Sequence, residues 1–388
     1  PDYQQKHQVV NELTSNFVRS IEPFNDNETW IGTQNGLNRI NNFSYQIEHI
    51  EAHNHPKSLS NNWIMDIFTD DNKNTWFASY EGLNYINNQQ FLLTHHLFNY
   101  QNKNTQIESV AETADGNVWF STHSSELYYI DHNNYINGID LPIIGPYYDL
   151  TAEHNTLWFV SADNHLYNFD TISQKVVHLK KWQTLKEFSP TSKLMFSNEH
   201  IWFINNQGQL AKFSTKSQTF DSFSSPNESP IVTMSIEKGL IWLLTSNNEL
   251  FTFNVQNNHF ETLTLPATPN FILSTANQLK IFNEWLWIGS SSQGIALINL
   301  KTKNVTIYNE NTALNNNYIN GILINEQGQA WCSTNKGLSF IDPINNQVKN
   351  YYQDFTLDSN EFIEGVALKA QDDSYYFGGT NGIHQFKQ

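Results

Sequence analysis

One pattern of roughly 43 residues recurs along the whole chain, and it limits the fold more than any other feature. Each copy has an aromatic residue, a second apolar residue, a few small or polar residues, a Gly or Asn, and then another short apolar run. The best-preserved copies occupy residues 30–40, 76–86 and 331–341. Eight of the eleven tryptophans stand at the same place in the pattern, which chance would not produce. The nine modules are centred on Trp30, Trp76, Trp119, Trp158, Trp202, Trp242, Trp287, Trp331 and Tyr376.

Each module predicts four short β-strands. In the second module, strands are expected at residues 63–68, 75–79, 83–86 and 91–93, with a polar turn after the first. Four-stranded modules of about 40–45 residues with one fixed aromatic are typical of β-propeller blades. A solenoid is the rival fold, but its modules usually contain fewer strands or a helix. We therefore expect an all-β chain in which residues 1–388 form a single β-propeller domain of four-stranded antiparallel blades.

The number of modules bears on how the ring closes. Nine modules account for essentially all 388 residues, so a nine-bladed ring is favoured, and a seven-bladed ring with two extra modules is the alternative. The last module reaches only its third strand, whereas Val9 and Val10 form a spare strand before the first module. We expect this N-terminal strand to join the last blade at residues 383–386, because that pairing removes two exposed sheet edges.

Charge and composition exclude several classes of partner. The chain has 38 acidic and 21 basic residues and a formal net charge of −17, so it repels phosphate backbones and anionic headgroups. We expect no nucleic-acid partner. No apolar run of about 18 residues exists, so membrane attachment is expected only through segments outside this chain. The single cysteine, Cys332, lies in an apolar run and is interpreted as a small buried hydrophobe.

The modules resemble the repeats of the two-component regulator propeller family. The resemblance rests on LTSNFV at residues 13–18, WIGT at residues 30–33, and GL at residues 36–37. Modules two and eight have similar sequences, and NEF at residues 360–362 followed by YFGGTNGI at residues 376–383 is similar to the closing repeat of such regions. Modules three to seven have drifted from the pattern. Members of this family commonly carry two seven-bladed propellers.

The resemblance implies a function. It implies a non-catalytic sensor region on the periplasmic side of a bacterial two-component receptor, whose output module would be a histidine kinase or a diguanylate cyclase. A small polar ligand or an oligosaccharide is the expected partner, and receptor dimerisation through the propeller rim is the alternative role.

The candidate ligand-binding residues lie on the first strands of the modules. Aligning the modules places Phe17, Trp63 and Tyr318 at one position, and Arg19, Met65 and Asn320 at another. The innermost strands of a propeller line its central channel, where aromatic rings beside carboxylates and amides would suit a sugar. The alternative is that these aromatics belong to the core and that the carboxylates face a water-filled channel. The predicted ligand-binding residues are Arg19, Trp63, Asp66, Glu108, Asp149, Tyr318, Asn320 and Glu364.

Sequence motifs for catalysis are missing from the chain. It contains no Gly-x-Ser-x-Gly elbow, phosphate-binding loop, dinucleotide fingerprint or His-Glu-x-x-His, so we expect no catalytic residues, no metal and no cofactor. One alternative is a lyase or hydrolase acting on a polysaccharide or a cyclic ester, which would require a His and carboxylates converging at the channel mouth. The other is a protein-interaction scaffold, although the repeats lack the Trp-Asp and Gly-His signatures of WD repeats.

Overall fold

The computed structural model divides the chain into two compact units, Pro1–Phe91 and Leu92–Gln388, which we call the first unit and the second unit. The described residues form short β-strands joined by turns, with two short 3-10 helices at Leu273–Thr275 and Glu310–Thr312. The structure describes residues 13–25, 28–42, 45, 47–52, 59–70, 75–86, 94–96, 106–143, 145–162, 165–178, 194–268, 271–351 and 361–387.

The first unit contains two antiparallel sheets, which correspond to modules one and two and are called blades one and two. Blade one has four strands in sequence order, and blade two has three described strands. Trp30 packs against blade two, with its ring 5.2 Å from that of Phe77 in an edge-on arrangement. The strands are β1 (Val18–Asn25), β2 (Glu28–Thr33), β3 (Gly36–Asn41), β4 (Ile47–Ile50), β5 (Ile64–Thr69), β6 (Thr75–Ser79) and β7 (Gly82–Ile86).

The second unit contains seven four-stranded antiparallel sheets, which correspond to modules three to nine and are called blades three to nine. Blades three to eight each take four consecutive strands, and blade nine combines the last three strands with β8. The strands are β8 (Thr94–His96), β9 (Ile107–Glu112), β10 (Val118–Thr122), β11 (Leu127–Ile130), β12 (Ile136–Ile139), β13 (Tyr147–Glu153), β14 (Thr156–Ser161), β15 (Leu166–Asp170), β16 (Lys175–His178), β17 (Met195–Ser197), β18 (His200–Ile204), β19 (Leu210–Ser214), β20 (Phe220–Phe223), β21 (Ile231–Glu237), β22 (Leu240–Thr245), β23 (Leu250–Asn254), β24 (His259–Leu263), β25 (Ala276–Phe282), β26 (Trp285–Ser290), β27 (Ile295–Asn299), β28 (Val305–Tyr308), β29 (Ile319–Ile324), β30 (Ala330–Thr334), β31 (Gly337–Asp342), β32 (Gln347–Tyr351), β33 (Phe362–Lys369), β34 (Ser374–Gly379) and β35 (Gly382–Lys387).

The recurring aromatic residue occupies the same place in every blade, on the second strand. The nine predicted blades are therefore present as nine antiparallel sheets, and the all-β class and the β-propeller architecture are confirmed. In the second unit each recurring aromatic packs on the blade that follows it. Trp287 of blade seven, for example, is buried against Ile319 and Ile322 of blade eight. A large flat side chain at this place buries much apolar area between two sheets.

In blades one, seven and nine, a glycine two residues after the aromatic lets neighbouring blades approach closely. A Cβ atom at Gly289 would lie 2.9 Å from Cγ2 of Ile319, the first residue of the next inner strand. The same contact recurs between the last and first blades of the second unit, where a Cβ at Gly378 in blade nine would lie 2.9 Å from Cβ of Ile107 in blade three. At these two positions a larger residue would force the sheets apart, since protein interiors are close-packed.

Blade nine thus packs on blade three as each other blade of the second unit packs on its successor. Tyr376, the recurring aromatic of blade nine, lies in one apolar cluster with Ile107, Val118 and Phe120 of blade three. The seven blades of the second unit therefore close into a ring, and the first unit holds the other two blades. This arrangement agrees with the alternative of a seven-bladed ring with two extra modules.

The prediction that an N-terminal strand at Val9 and Val10 completes blade nine is wrong. The fourth strand of blade nine is β8, which pairs antiparallel with β35, His95 facing His384. Val9 and Val10 lie outside the described residues, and the edge predicted for them is occupied by β8. The physical reason is that β8 comes directly before blade three in the chain, so a short connection suffices to place it beside blade nine. The strand that completes blade nine therefore lies about two modules later in the chain than the sequence analysis predicted.

Replacing Thr94 and His95 together with proline tests this pairing. In an antiparallel ladder alternate residues donate to the partner strand, so the double substitution removes at least one hydrogen bond between β8 and β35. We therefore expect the free energy of unfolding to fall by roughly 1–3 kcal/mol. Replacing both residues with alanine, which keeps the backbone pairing, serves as the control and should have a smaller effect. Urea unfolding followed by tryptophan fluorescence measures both. A larger loss on deleting residues 1–12 than on the proline substitutions would contradict the assignment of β8 as the closing strand.

Candidate functional site

Most first strands carry a β-bulge close to their start. In β21, Ile231 pairs with Thr245 and Thr233 with Leu244, so Val232 is an extra residue without a partner in the register. Bulges of this kind re-aim side chains and are common beside functional sites. The equivalence predicted for Arg19, Met65 and Asn320 is confirmed, because each is the extra residue of its strand. The other extra residues of this type are Glu108 and Asn277.

Two cavities lie along the central channel of the seven-bladed ring, one of about 290 Å³ and one of about 150 Å³. Both are lined by Met195, Gln278 and Lys280, so they meet at these side chains. Between them the cavities touch the first strand of all seven blades, which identifies them as the channel. One lining residue from each of blades three to nine is Ser109, Asp149, Met195, Thr233, Lys280, Ile322 and Gly365.

Lys280 is a half-buried cation that lines both cavities. Its ammonium makes no hydrogen bond or ion pair with the residues that the structure describes, and no described carboxylate oxygen lies within 4.0 Å of it. Desolvation lowers the pKa of Lys280, and the charge of Glu237 acts in the opposite direction. A partly desolvated cation without a protein partner, placed in a cavity, is a candidate for contacting a ligand.

The side chain of Asn277, a second polar group of the larger cavity, also has an atom that forms no hydrogen bond with the described residues. The Asn277 Nδ2 donates to the carbonyl oxygen of Ile319 at 2.9 Å, which ties β25 to the next blade. Its Oδ1 is buried and accepts no hydrogen bond from the described residues. The wall of the same cavity contains the apolar side chains of Met195, Ile204 and Met234. The cavity therefore combines an unmatched acceptor, an unmatched cation and an apolar wall.

Tyr318 and Glu364 form a pair between blades eight and nine. The Tyr318 hydroxyl donates to Glu364 Oε2 at 2.8 Å, and Glu364 also lines the larger cavity. The hydrogen bond to Glu364, followed by desolvation, raises the pKa of Tyr318 to about 12. Asn320 is buried and donates to Asn335 Oδ1 at 2.8 Å, so its side chain serves the packing of its own blade.

Glu108 and Asp149 occupy neighbouring blades. Glu108 Oε1 lies 2.7 Å from His123 Nδ1 and accepts a hydrogen bond from Gln106 Nε2 at 3.0 Å. Desolvation and, second, the charge of Glu108 raise the pKa of Tyr148. Asp149 lines the smaller cavity together with Lys280.

The other three predicted residues belong to the first unit. The Arg19 guanidinium lies over the Trp63 ring, 5.7 Å from its centroid, and Tyr80 stacks on Trp63 at 5.9 Å. Asp66 Oδ1 accepts a hydrogen bond from the Ser20 hydroxyl at 3.0 Å. Of the eight predicted residues, these three therefore stand in the first unit and five stand in the second, where Glu364 and Asp149 line the two cavities.

The sequence analysis did not single out Lys280, Asn277 or Gln278. A signal for Lys280 was present, because it pairs with the recurring Trp287 across β25 and β26. At this position the other blades of the second unit have uncharged residues, so a lysine there departs from the repeat. The corresponding residues are Ala111, Thr151, Met195, Ser235, Leu323 and Leu368.

Other reactive groups do not gather into a site. Among the residues that the structure describes, no group of three His, Cys, Asp or Glu side chains could hold a metal ion. Cys332 is buried in the core of blade eight, and burial raises the pKa of its thiol, as the interpretation of a small buried hydrophobe predicts. None of the described helices is long and apolar enough to span a membrane.

Replacing Lys280 with methionine should raise the free energy of unfolding, because the variant no longer holds a partly desolvated cation without an ion-pair partner. The unfolded chain binds this proton up to the ordinary lysine pKa of 10.5, whereas the folded protein loses it at a lower pH. The stability of the unsubstituted protein therefore rises with pH between the two values. We expect the gain in the variant to be largest at neutral pH and to vanish near pH 10.5 in urea unfolding. A loss of stability at neutral pH would contradict the role assigned to this side chain.

Replacing Glu364 with glutamine should lower the pKa of Tyr318 from about 12 towards 10, because the amide accepts a hydrogen bond without a negative charge. Carbon-13 NMR of labelled tyrosine across alkaline pH measures this shift, and Tyr318→Phe assigns the signal. An unchanged pKa would show that the pair does not form in solution.

Solved structures similar to this chain share its fold. The extracellular domain of BT3049 from B. thetaiotaomicron, described as a hybrid two component system, is 19% identical, with a TM-score of 0.68 over 95% of this chain and 51% of that chain. The extracellular domain of BT4673 from the same organism, described as a one component system, is 18% identical, with a TM-score of 0.56 over 95% of this chain and 52% of that one. This chain therefore spans about half the length of those proteins.

A shorter similar structure is a streptogramin B lyase, which is 16% identical, with a TM-score of 0.60 over 76% of this chain and 97% of that chain. No family model and no curated protein matches the sequence. At these identities the solved structures establish the fold alone, and at that level they confirm the resemblance that the repeats indicated.

Proposed function

We propose that this chain is a periplasmic sensor region of a bacterial two-component receptor and that its second unit binds a small polar ligand in the central channel. The single observation that carries the binding role is the channel around Lys280, where a desolvated ammonium has no described partner. A bound ligand would supply that partner. The sensor role is supported by the repeat resemblance and by the fold shared with extracellular domains of receptors.

The lining of the channel suits binding of a hydroxyl-rich molecule. Small-molecule sites combine an apolar wall with a few well-placed polar groups. Here the wall includes Met195 and Met234, and the polar groups include Asn277, Thr233 and Glu364. The volume of about 290 Å³ is at the lower end of the usual range, so the cavity suits one sugar ring or the end of an oligosaccharide.

In our proposal, signalling depends on a transmembrane helix and an output module, a histidine kinase or a diguanylate cyclase, that belong to the same receptor. The formal net charge of −17 disfavours nucleic acid as a partner. Dimerisation of the receptor through this chain is compatible with the proposal.

A lyase or hydrolase is a second candidate, and one observation favours it. His123 Nδ1 lies 2.7 Å from Glu108 Oε1, and a carboxylate in this position can orient the imidazole to act as a general base. The similarity to a streptogramin B lyase concerns the fold. Release of product from polysaccharides or cyclic esters by the purified chain, lost in His123→Ala, would establish this candidate.

A two-part experiment tests the sensor function. The purified chain is screened by thermal unfolding against neutral and acidic oligosaccharides, where a ligand at a hundredfold excess over its Kd stabilises the folded state by about 2.7 kcal/mol. The same ligand should then change the output of the receptor encoded by the complete gene. A complete gene without a transmembrane segment or signalling module, or a receptor whose output ignores every ligand that binds, would refute the sensor role.

A further inference from the structure

Strand β25 carries one donor group and one acceptor atom that form no hydrogen bond with the described residues. The Lys280 ammonium has only donors and lacks an acceptor among the described residues, whereas Asn277 Oδ1 is an acceptor that lacks a donor. Both side chains line the cavity of about 290 Å³. A molecule that satisfies both must therefore carry an acceptor and a hydroxyl or amine donor a short distance apart.

None of the described carboxylates near the channel forms an ion pair with the Lys280 ammonium. Glu364 is exposed to water and already accepts the Tyr318 hydroxyl, so its charge is screened and hydrogen-bonded. Glu237, the group whose charge acts on Lys280, is 41% exposed and lies 3.9 Å from the Lys238 ammonium. Asp149 lines the smaller cavity together with Lys280. Lys280 is half-buried, so water reaches its ammonium when the cavity holds no ligand. A ligand in the cavity displaces this water, and an anion then compensates the ammonium better than a neutral oxygen does.

We propose that the larger cavity selects a hydroxylated carboxylate, such as a sugar acid, with its carboxylate on Lys280 and one of its hydroxyls donating to Asn277 Oδ1. This inference rests on the proposed ligand-binding function and names its substrate class. The apolar face of the sugar ring packs on the methionine side chains of the wall. The ligand is one uronate residue, either free or at the end of an acidic oligosaccharide, because the cavity holds about one ring.

The preference for an acid follows from the charge interaction with Lys280 that a neutral sugar cannot make. Galactose would fill the same space and reach Asn277, but it would bury Lys280 further without a counter-charge. A charged hydrogen bond is typically worth ten- to a hundredfold in affinity. We therefore expect an acid to bind at least tenfold more tightly than the neutral sugar of the same shape.

The test is isothermal titration calorimetry on the 388-residue chain at constant ionic strength, with D-galacturonate, D-glucuronate, D-gluconate and the neutral sugars D-galactose and D-glucose as probes. At least one acid should bind tenfold or more tightly than the neutral sugars. Lys280→Met should abolish this preference, and Asn277→Ala should weaken binding several-fold while keeping the preference for acids. Lys301→Met, at a lysine that is 75% exposed, is the matched control and should bind like the unsubstituted chain.

Several outcomes would overturn the inference. These are equal affinity for acids and neutral sugars, no binding of any of the three acids, or unchanged binding in Lys280→Met. Circular dichroism and the melting temperature establish that each variant is folded before its affinity is compared. The two proposals fail separately. A neutral ligand that drives the receptor would leave the sensor role intact and refute the acid, whereas an acid that binds through Lys280 without changing receptor output would do the reverse.

Discussion

Packing of one aromatic side chain on the next blade is the interaction on which the rest of this structure depends. A four-stranded sheet of this kind is apolar on both faces, so it is stable only between two others. The aromatic residue covers one face, and in blades one, seven and nine the glycine two positions later lets the first residue of the following inner strand approach closely. In the second unit the packing of the aromatic on the next blade occurs seven times and returns to blade three, where Tyr376 packs with Ile107.

Closure of the ring creates the chemistry of the second unit. The inner strands surround one channel, and the bulge residues Val232 and Asn277 line its larger cavity. Lys280 stands in this channel opposite a tryptophan, where most other blades have a small or apolar residue. The position is unfavourable for a cation in an empty channel and favourable in a channel that holds an anion. Groups whose pKa is shifted by desolvation are common at binding sites.

The sequence predicted a large part of this architecture. The position of every recurring aromatic on a second strand follows from the repeat, and so does the equivalence of Arg19 and Asn320 at the bulge. For the predicted ligand-binding residues, the structure shows where each one lies. Tyr318 and Glu364 do contact each other, yet Asn320 is buried and bonded to Asn335. A repeat shows which positions are equivalent, but it does not show which of them face the axis or which have a partner.

The sequence by itself determined the fold class, the nine modules, the strand order within each and the apolar surface by which blades pack, because these depend on contacts that are local or repeat in every module. Only the tertiary structure decided which modules close together, which strand completes blade nine, and which polar groups lack a partner. Those properties depend on contacts between distant segments, such as β8 with β35 and Gly378 with Ile107. Such contacts leave no periodic trace in the chain, since each is made once.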